Sequence, residues 1–191
     1  MGRRITEEVL AAARAGDGDA LVVIWRELAP AVAGYLTARG VPDAEGVTSD
    51  VFVAVLPRLG ELTGGVSGLR TFVFSVAHAR MVDDTRRRAR QPTFVELDQL
   101  LHDRATESAE REALERVGTA GVQDLLDRLS PDHREVLALR IVADLSLEQV
   151  ATVMRRSTGS VKQLQRRALI AVRALVEADG PADTGRSVPI C

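Results

Sequence analysis

The C-terminal part of the chain combines a helical pattern with a single sign of charge. Residues 149–176 hold six basic side chains and no acidic one, although the whole chain of 191 residues has a formal net charge of −2. A capping box of Ser146 and Gln149 predicts the start of a first helix, and residues 155–157 predict a turn. The apolar residues of this helix have i, i+3, i+4, i+7 spacing: Leu147, Val150, Ala151 and Met154.

A second helix is predicted directly after the turn, with one apolar and one cationic face. Its apolar residues recur at about 100° per residue: Val161, Leu164, Ala168, Val172 and Leu175. A second helix with a cationic, amide-bearing outer face is typical of a helix-turn-helix, in which Arg and Lys bind guanine or phosphate and Gln pairs with adenine. We therefore predict that DNA is bound by Ser157, Ser160, Lys162, Gln163, Arg166 and Arg167.

The alternative for this stretch is a solvated amphipathic helix pair without a ligand. A solubility face normally mixes Glu and Lys at i, i+4, whereas this one carries a single sign over 28 residues of a mildly acidic protein. Release of counter-ions from phosphate explains that asymmetry. Nucleic-acid binding is therefore the favoured interpretation.

Composition limits the other classes of protein. Aromatic residues make up 3% of the chain and β-branched runs with period two are hard to find, so the predicted class is all-α. The single cysteine, Cys191, rules out an internal disulfide and fits a reducing compartment. Because no run of 18 apolar residues and no secretory signal is found, we expect a cytoplasmic protein without a membrane span.

The N-terminal half is divided by cap and stop residues. Residues 16–19 are predicted to hold a helix stop and an N-cap, Asp43 is a predicted N-cap, Gly40 is a predicted helix terminator, and Pro30 is a candidate kink. Residues 93–118 are acidic and lack a strong apolar stripe, so they are predicted to be a linker between two helical blocks.

One predicted N-terminal helix has an apolar first half and a basic second half. Its first half is apolar, and its second half carries arginines over residues 86–90. An apolar stripe centred on Leu69, Phe72 and Val76 predicts that Phe74 and His78 point away from the core. Aromatic and cationic side chains on that side predict contact with an unstacked nucleic-acid strand. The alternative for the arginines is a solvated helix end, where the macrodipole favours cations.

Two small helical domains, each ending in an arginine-bearing helix, resemble the extracytoplasmic-function (ECF) sigma factors of bacterial RNA polymerase over residues 5–176. The resemblance implies a region-two-like domain (5–92), a flexible linker (93–118), a region-four-like helix-turn-helix domain (119–177) and a disordered tail (178–191). It also implies that the first domain reads and melts the minus-ten promoter element and that the second reads the minus-thirty-five element.

Four blocks in the C-terminal part carry the resemblance most specifically. They are Leu129–Arg140, similar to "L-P-x-x-x-R-E-V-L-x-L-R", Leu145–Ala151, similar to "L-S-x-E-E-I-A", Ser157–Lys162, similar to "S-x-G-T-V-K", and Arg167–Leu169, similar to "R-A-L". One departure is that Leu164 and Gln165 stand where the family has Arg and Leu, so the contact of that Arg is not carried over.

Two N-terminal blocks are looser matches. Asp43–Phe52 resembles "D-A-E-D-L-x-Q-E-V-F", the segment that meets the coiled-coil clamp of the large polymerase subunit, with Gly46 and Ser49 as departures. The implied contacts to core polymerase are Asp43, Glu45, Asp50 and Phe52. Leu69–Ala77 resembles "F-R-A-W-L-Y-R-I-A". The implied minus-ten and melting residues are Phe72, Phe74, His78, Arg80, Asp83, Arg86, Arg87, Arg88 and Arg90.

The predicted partners are core RNA polymerase and promoter DNA, and an anti-sigma factor is left open. The three histidines form no i, i+4 pair, and neither a phosphate-binding glycine loop nor a nucleophile elbow is found. We therefore predict no enzyme activity, no metal and no cofactor. Two alternatives remain: a helix-turn-helix repressor or response-regulator output domain with an N-terminal helical module, and a helical adaptor without DNA contact.

Overall fold

The computed structural model describes residues 4–90 and 121–179, apart from the side chains of residues 88–90 and 179. No strand occurs in these ranges, and the predicted all-α class is confirmed. The N-terminal bundle consists of α1 (Glu7–Arg14), α2 (Gly18–Ala38), α3 (Ala44–Val55) and α4 (Gly65–Arg90), with a 3-10 helix over Leu56–Glu61. The C-terminal bundle consists of α5 (Pro131–Leu137), a π-helix over Ala138–Val142, α6 (Leu147–Met154) and α7 (Thr158–Asp179).

Residues 121–127, before α5, are also helical. The predicted linker 93–118 lies outside the described residues, as does the predicted tail from residue 180 onward. Residues 178 and 179 belong to α7.

Helix starts in the N-terminal bundle follow the polar residues that precede them. Thr6, Asp17 and Asp43 each accept a hydrogen bond from the backbone amide three residues on, at 3.3, 2.8 and 2.9 Å. Such a bond satisfies one of the free amides of the first helical turn. The cap predicted within residues 16–19 is Asp17, and the predicted cap Asp43 is confirmed. Gly40 ends α2 with a positive φ of 73°, which a glycine adopts without strain.

The core of the N-terminal bundle is built around α2, which packs against α1, α3 and α4. Ile24, Leu28, Val32 and Leu36 of α2 have no exposed surface. By length and composition alone α2 could cross a membrane, but the core helix of a soluble helical protein has the same properties. Pro30 lies inside α2, which continues as one helix to Ala38.

Two aromatic residues that the resemblance implies as contacts are buried. Phe74 on α4 has no exposed surface, and its ring meets Tyr35 edge-on with 5.9 Å between centroids. Phe52 on α3 is 1% exposed and packs against Trp25 with 4.6 Å between centroids. Both therefore belong to the core of the N-terminal bundle, and the prediction that Phe74 points away from the core is wrong.

Phe74 was misplaced because the predicted apolar face of α4 is rotated about the helix axis from the face that is buried. The first half of α4 is apolar on nearly every side, so its sequence does not fix which face is inward. The buried positions are Leu69, Val73, Phe74, Ala77 and Met81, whereas the predicted stripe residues Phe72 and Val76 are only partly buried. The inward face thus lies about one residue, or 100°, from the predicted one.

Replacing Phe74 with alanine should test this placement. Loss of a buried phenyl ring is expected to lower the free energy of unfolding by about 3–5 kcal/mol, measured by urea denaturation. Val53→Ala on α3 is the control, because Val53 is 73% exposed and its change should stay within about 0.5 kcal/mol. Equal stability of the parent and Phe74→Ala would contradict the burial of this ring.

Candidate nucleic-acid interface

The helix-turn-helix is fixed by caps on both sides of its turn. Ser146 Oγ accepts from the amide of Gln149 at 3.3 Å and the Gln149 side chain accepts from the amide of Ser146 at 2.8 Å, so the predicted capping box is confirmed. Arg155 ends α6 in the left-handed region at φ 53°. The amide of Ser160 then donates to Ser157 Oγ at 3.2 Å, so Ser157 caps α7 as predicted.

α7 presents one face to the C-terminal bundle and the other to solvent. Val161 and Ala168 are completely buried, and the other predicted apolar residues pack partly against the core: Leu164, Val172 and Leu175. The six residues predicted to bind DNA are all exposed: Ser157, Ser160, Lys162, Gln163, Arg166 and Arg167. The accessible surface of the first turns of α7 therefore combines backbone amides, hydroxyls, one amide side chain and three cations.

A groove runs beside this face between the π-helix and α7. It combines the basic side chains of Arg140, Lys162, Arg166 and Arg173 with the apolar side chains of Leu147, Leu169 and Ile170. Leu169 is 47% exposed and Ile170 is 59% exposed. Sequence reasoning did not predict a binding role for Arg140, which lies in the π-helix and donates to the carbonyl of Leu145.

On α4 the predicted minus-ten residues fall into two groups. Arg80, Asp83, Arg86 and Arg87 are exposed, and Arg87 Nη2 lies 2.6 Å from Oδ1 of the buried Asp84. The side chains of Arg88 and Arg90 lie outside the described residues. Phe72 is partly buried against the core, and Phe74, as shown above, is inside it.

His78 is the third predicted minus-ten residue on α4, after Phe72 and Phe74, that is not exposed. Its side chain is only 28% exposed, and Nδ1 lies 3.2 Å from the Tyr35 hydroxyl and 3.0 Å from Glu135 Oε1. His78 thus bonds to two buried residues, and the prediction that it points away from the core is wrong. It bonds to a residue of the other bundle.

On α3 the predicted polymerase-contact residues are likewise divided. Asp43, Glu45 and Asp50 are exposed, and Phe52 is buried. The departure at Gly46 has a local reason, because a Cβ there would collide with the carboxylate of Asp43, which caps the helix. A side chain at this position would therefore require the carboxylate of Asp43 to shift.

Sequence reasoning missed the polar cluster between the two bundles. Glu135 on α5 is 3% exposed, and its Oε1 accepts from the Tyr35 hydroxyl at 2.7 Å. With its proton on Nδ1, His78 donates to the same oxygen. Arg39 Nε lies 2.7 Å from Oε2, close enough for an ion pair although its N–H is not aligned for a hydrogen bond. One carboxylate of the C-terminal bundle thus meets three side chains of the N-terminal bundle.

Burial and charge act in opposite directions on this carboxyl. Burial raises the pKa of Glu135, but the hydrogen bond from His78, the charge of Arg39 and the hydrogen bond from Tyr35 together hold the pKa below its usual value. Burial, followed by the charge of Glu135, raises the pKa of Tyr35 well above its usual value. Glu135 is therefore ionised and Tyr35 keeps its proton at neutral pH.

No cluster of three or more His, Cys, Asp or Glu side chains suited to a metal ion occurs in residues 4–90 and 121–179.

Comparisons with known proteins show similarity to sigma factors. Residues 125–174 match the family described as sigma-70, region 4. The ECF RNA polymerase sigma factor BldN of Streptomyces coelicolor is 29% identical over 175 residues, which is 90% of this chain and 66% of BldN. The ECF RNA polymerase sigma factor ShbA of Streptomyces griseus is 33% identical over 137 residues, which is 70% of this chain and 71% of ShbA.

A solved structure of CnrH in complex with the cytosolic domain of CnrY has a similar fold. The TM-score is 0.68 at 22% sequence identity, and the alignment covers 91% of this chain and 97% of the matched chain.

The depressed pKa of Glu135 predicts a pH-dependent stability. The ionised carboxylate stabilises the packing above pH 4.5, the usual pKa of a glutamate, and this contribution is lost as the pH falls through the lower pKa of the folded state. The free energy of unfolding of Glu135→Gln should lie about 1–3 kcal/mol below that of the parent at neutral pH. The difference should shrink on acidification below pH 4.5, as measured by urea denaturation. A difference that is independent of pH would count against this account.

Proposed function

Because the chain belongs to the ECF sigma factor family, we propose that it binds core RNA polymerase and directs promoter recognition, strand opening and transcription initiation. The observation that carries the proposal is the exposed, single-sign face of α7 within a region-four match. Acting on the polymerase places the protein in the cytoplasm and gives it a role without catalytic chemistry of its own. An anti-sigma factor is a further proposed partner.

In this proposal α7 enters the major groove of the minus-thirty-five element. Lys162 and Arg166 are four residues apart and exposed, so they share one face of the helix. A basic side chain there bonds to guanine O6 and N7 or to phosphate, and Gln163 can pair with adenine. The free amides at the start of α7 add to the attraction for phosphate.

The exposed cations of α4 serve strand opening in a different way from the one that the sequence suggested. With Phe74 buried and Phe72 partly buried, the described part of α4 offers no fully exposed aromatic ring for base stacking. What it offers is charge, at Arg80, Arg86 and Arg87. We therefore assign these residues to the backbone of the opened strand rather than to its bases.

The proposed contact to core polymerase lies on α3. Glu45 and Asp50 are exposed and acidic, and the resemblance implies that they face a clamp of the large subunit. Asp43 and Phe52 support this surface from below: Asp43 caps α3, and Phe52 anchors the helix against Trp25.

A run-off transcription assay tests the proposal as a whole. Purified protein is mixed with bacterial core polymerase and a genomic promoter library that core alone leaves silent. New discrete transcripts are expected. Duplex DNA binding without any transcript would instead favour a helix-turn-helix repressor or response-regulator output domain, and absence of both would favour a helical adaptor.

For the minus-thirty-five contact, Lys162→Ala and Arg166→Ala are the informative substitutions. Each should lower affinity for upstream promoter DNA by about 1–3 kcal/mol where the side chain meets a base, or flatten the salt dependence where it meets phosphate. Arg58→Ala removes an equal charge from the exposed surface of the N-terminal bundle and should bind like the parent. Parent-like binding by all three variants at several salt concentrations would exclude α7 as the recognition helix.

For the polymerase contact, Asp50→Arg reverses an exposed charge in the middle of α3. If that charge faces a basic clamp, holoenzyme formation should weaken at least about tenfold, while circular dichroism stays unchanged. Glu61→Arg, an equal reversal at another exposed site, is the control. Undiminished co-purification of Asp50→Arg with core would argue against this face.

Strand opening can be separated from binding with Arg86→Ala. Because Arg86 is assigned to the opened strand, permanganate-reactive thymines in the promoter complex should fall at matched occupancy. Lys162→Ala provides the contrast, since it should lower occupancy but leave reactivity per complex unchanged. Equal reactivity of the parent and Arg86→Ala would show that this part of α4 does not support melting.

A further inference from the structure

The outward direction of α7 is fixed by its two fully buried residues. Val161 and Ala168 have no exposed surface, and at about 100° per residue they lie about 20° apart around the helix axis. The direction opposite their mean is the one along which α7 would enter a groove of DNA. Gln163 and Arg166 are exposed, and each lies about 30° from this direction, on opposite sides of it.

One further cation stands at each flank of this outward face. Lys162 and Arg167 are exposed and lie about 70° from the outward direction, again on opposite sides. The flank of Lys162 is the one nearest the π-helix, because Lys162 borders the same groove as Arg140. The outward face of α7 thus has two central side chains and a cation at each edge.

The two residues of α7 that depart from the family pattern lie away from this face. Leu164 and Gln165 stand where the family has Arg and Leu, and each lies about 130° from the outward direction. Both are only partly exposed, and Leu164 packs against the core of the C-terminal bundle. Position 164 therefore supplies no polar contact to DNA, and the reading of bases is left to the side chains of the outward face.

We infer that Gln163 and Arg166 determine which minus-thirty-five sequence this protein selects, whereas Lys162 and Arg167 bind the phosphates on the two sides of the groove. The selected element contains an A·T pair, read by Gln163, directly beside a G·C pair, read by Arg166. The inference rests on the proposed function and deepens it, because it states which base pairs α7 recognises and which side chains carry no sequence information.

The chemistry of the two central side chains determines the base pairs. The amide of a glutamine both donates and accepts, so it forms a bidentate pair with N6 and N7 of adenine, whereas a guanidinium donates two bonds to O6 and N7 of guanine. Gln163 and Arg166 are three residues apart, which is about 4.5 Å along the helix and close to the spacing of about 3.4 Å between base pairs. The two side chains can therefore reach adjacent base pairs.

The outward face begins with bare backbone. Gly159 lies one turn before Gln163 and about 10° from the outward direction, and it is exposed. Because it carries no Cβ, the first turn of α7 can approach the edges of the bases closely. This approach brings the side chains of the following turn within reach of the floor of the groove.

The two flanking cations meet the walls of the groove rather than its floor. The major groove of B-DNA is about 12 Å wide, and an α-helix with its side chains is about 10–12 Å across. A side chain about 70° from the outward direction therefore faces a phosphate backbone. Such contacts attract DNA of any sequence and orient the helix, but they do not distinguish base pairs.

Exchanging the two kinds of central side chain tests the inference. A promoter found in the run-off assay is converted into a library in which the minus-thirty-five segment is randomised. Core polymerase with the parent, with Gln163→Arg or with Arg166→Gln transcribes this library, and sequencing of a transcribed barcode counts the product of each member. Both positions are exposed, so the folds should be unchanged, which circular dichroism verifies.

The parent should prefer A·T at one position of the segment and G·C at a neighbouring one. Gln163→Arg should change the first preference to G·C, and Arg166→Gln should change the second to A·T. Each preference should shift by at least about fivefold, the lower end of what one bidentate pair discriminates. Base preferences that neither exchange alters would overturn the inference.

Arg167→Gln is the matched control, because it makes the same exchange as Arg166→Gln one residue further along, at a flank of the helix. It should lower transcription from all library members by a similar factor, and the slope of log affinity against log salt concentration should fall by about one. Lys162→Gln tests the other flank with the same expectation. A changed base preference in either flank variant would overturn the division between central and flanking residues.

The library also separates this inference from the proposed function. Transcripts from the parent without any base preference in the randomised segment would refute the inference and leave the proposed function standing. Absence of transcripts from the genomic promoter library with the parent would instead refute the proposed function, and with it the inference.

Discussion

A buried carboxylate determines how the two halves of this protein meet. Glu135 is an ion with little access to water, and a site of that kind persists only when nearby donors replace the lost hydration. Three side chains supply that replacement: Tyr35 in α2, Arg39 directly after α2, and His78 in α4. Because all three donors belong to the N-terminal bundle, satisfying one charge fixes the position of α5, and through α5 the π-helix and the helix-turn-helix that follow it.

The parts of the structure that the sequence predicts best are those with local signals. The two helices of the helix-turn-helix have distinct caps at Ser146 and Ser157, and α7 places apolar residues on one side and cations on the other, so its orientation has one solution. α4 lacks that contrast, because apolar residues surround its first half and the periodicity is satisfied by two faces. Which face of α4 is buried, and with it the burial of Phe74, could therefore be determined only from the tertiary structure.

The Glu135 cluster shows a different limit. Glu135 is 100 residues from Tyr35 and 57 residues from His78 along the chain. A sequence pattern within one helix therefore cannot contain both partners of either contact. A weak signal was present, since Tyr35 sits in the apolar stripe of α2 and Glu135 adjoins the buried Val136 and Leu137. A polar group at a core-facing position usually has a hydrogen-bond partner. The sequence can therefore predict that such a partner exists, but not which residue it is.

The charge distribution divides the two proposed kinds of contact between different surfaces. The cations concentrate on α7 and the far half of α4, and acidic residues are exposed on α3, so the proposed DNA and polymerase contacts use surfaces of opposite sign. The charged residues of both kinds of surface remain exposed while the two bundles are packed together, whereas His78 is largely covered.

The distance between the bundles in the free protein is the most direct measure of this account. Spin labels at Val22→Cys on α2 and Ile170→Cys on α7 use two exposed positions, with Cys191→Ser as the background, and double electron–electron resonance gives the distribution of distances between them. The account predicts one narrow distribution for the parent, and a broader one extending to longer distances when Glu135→Gln is added. A distribution that is already broad in the parent, or one that Glu135→Gln leaves unchanged, would contradict it.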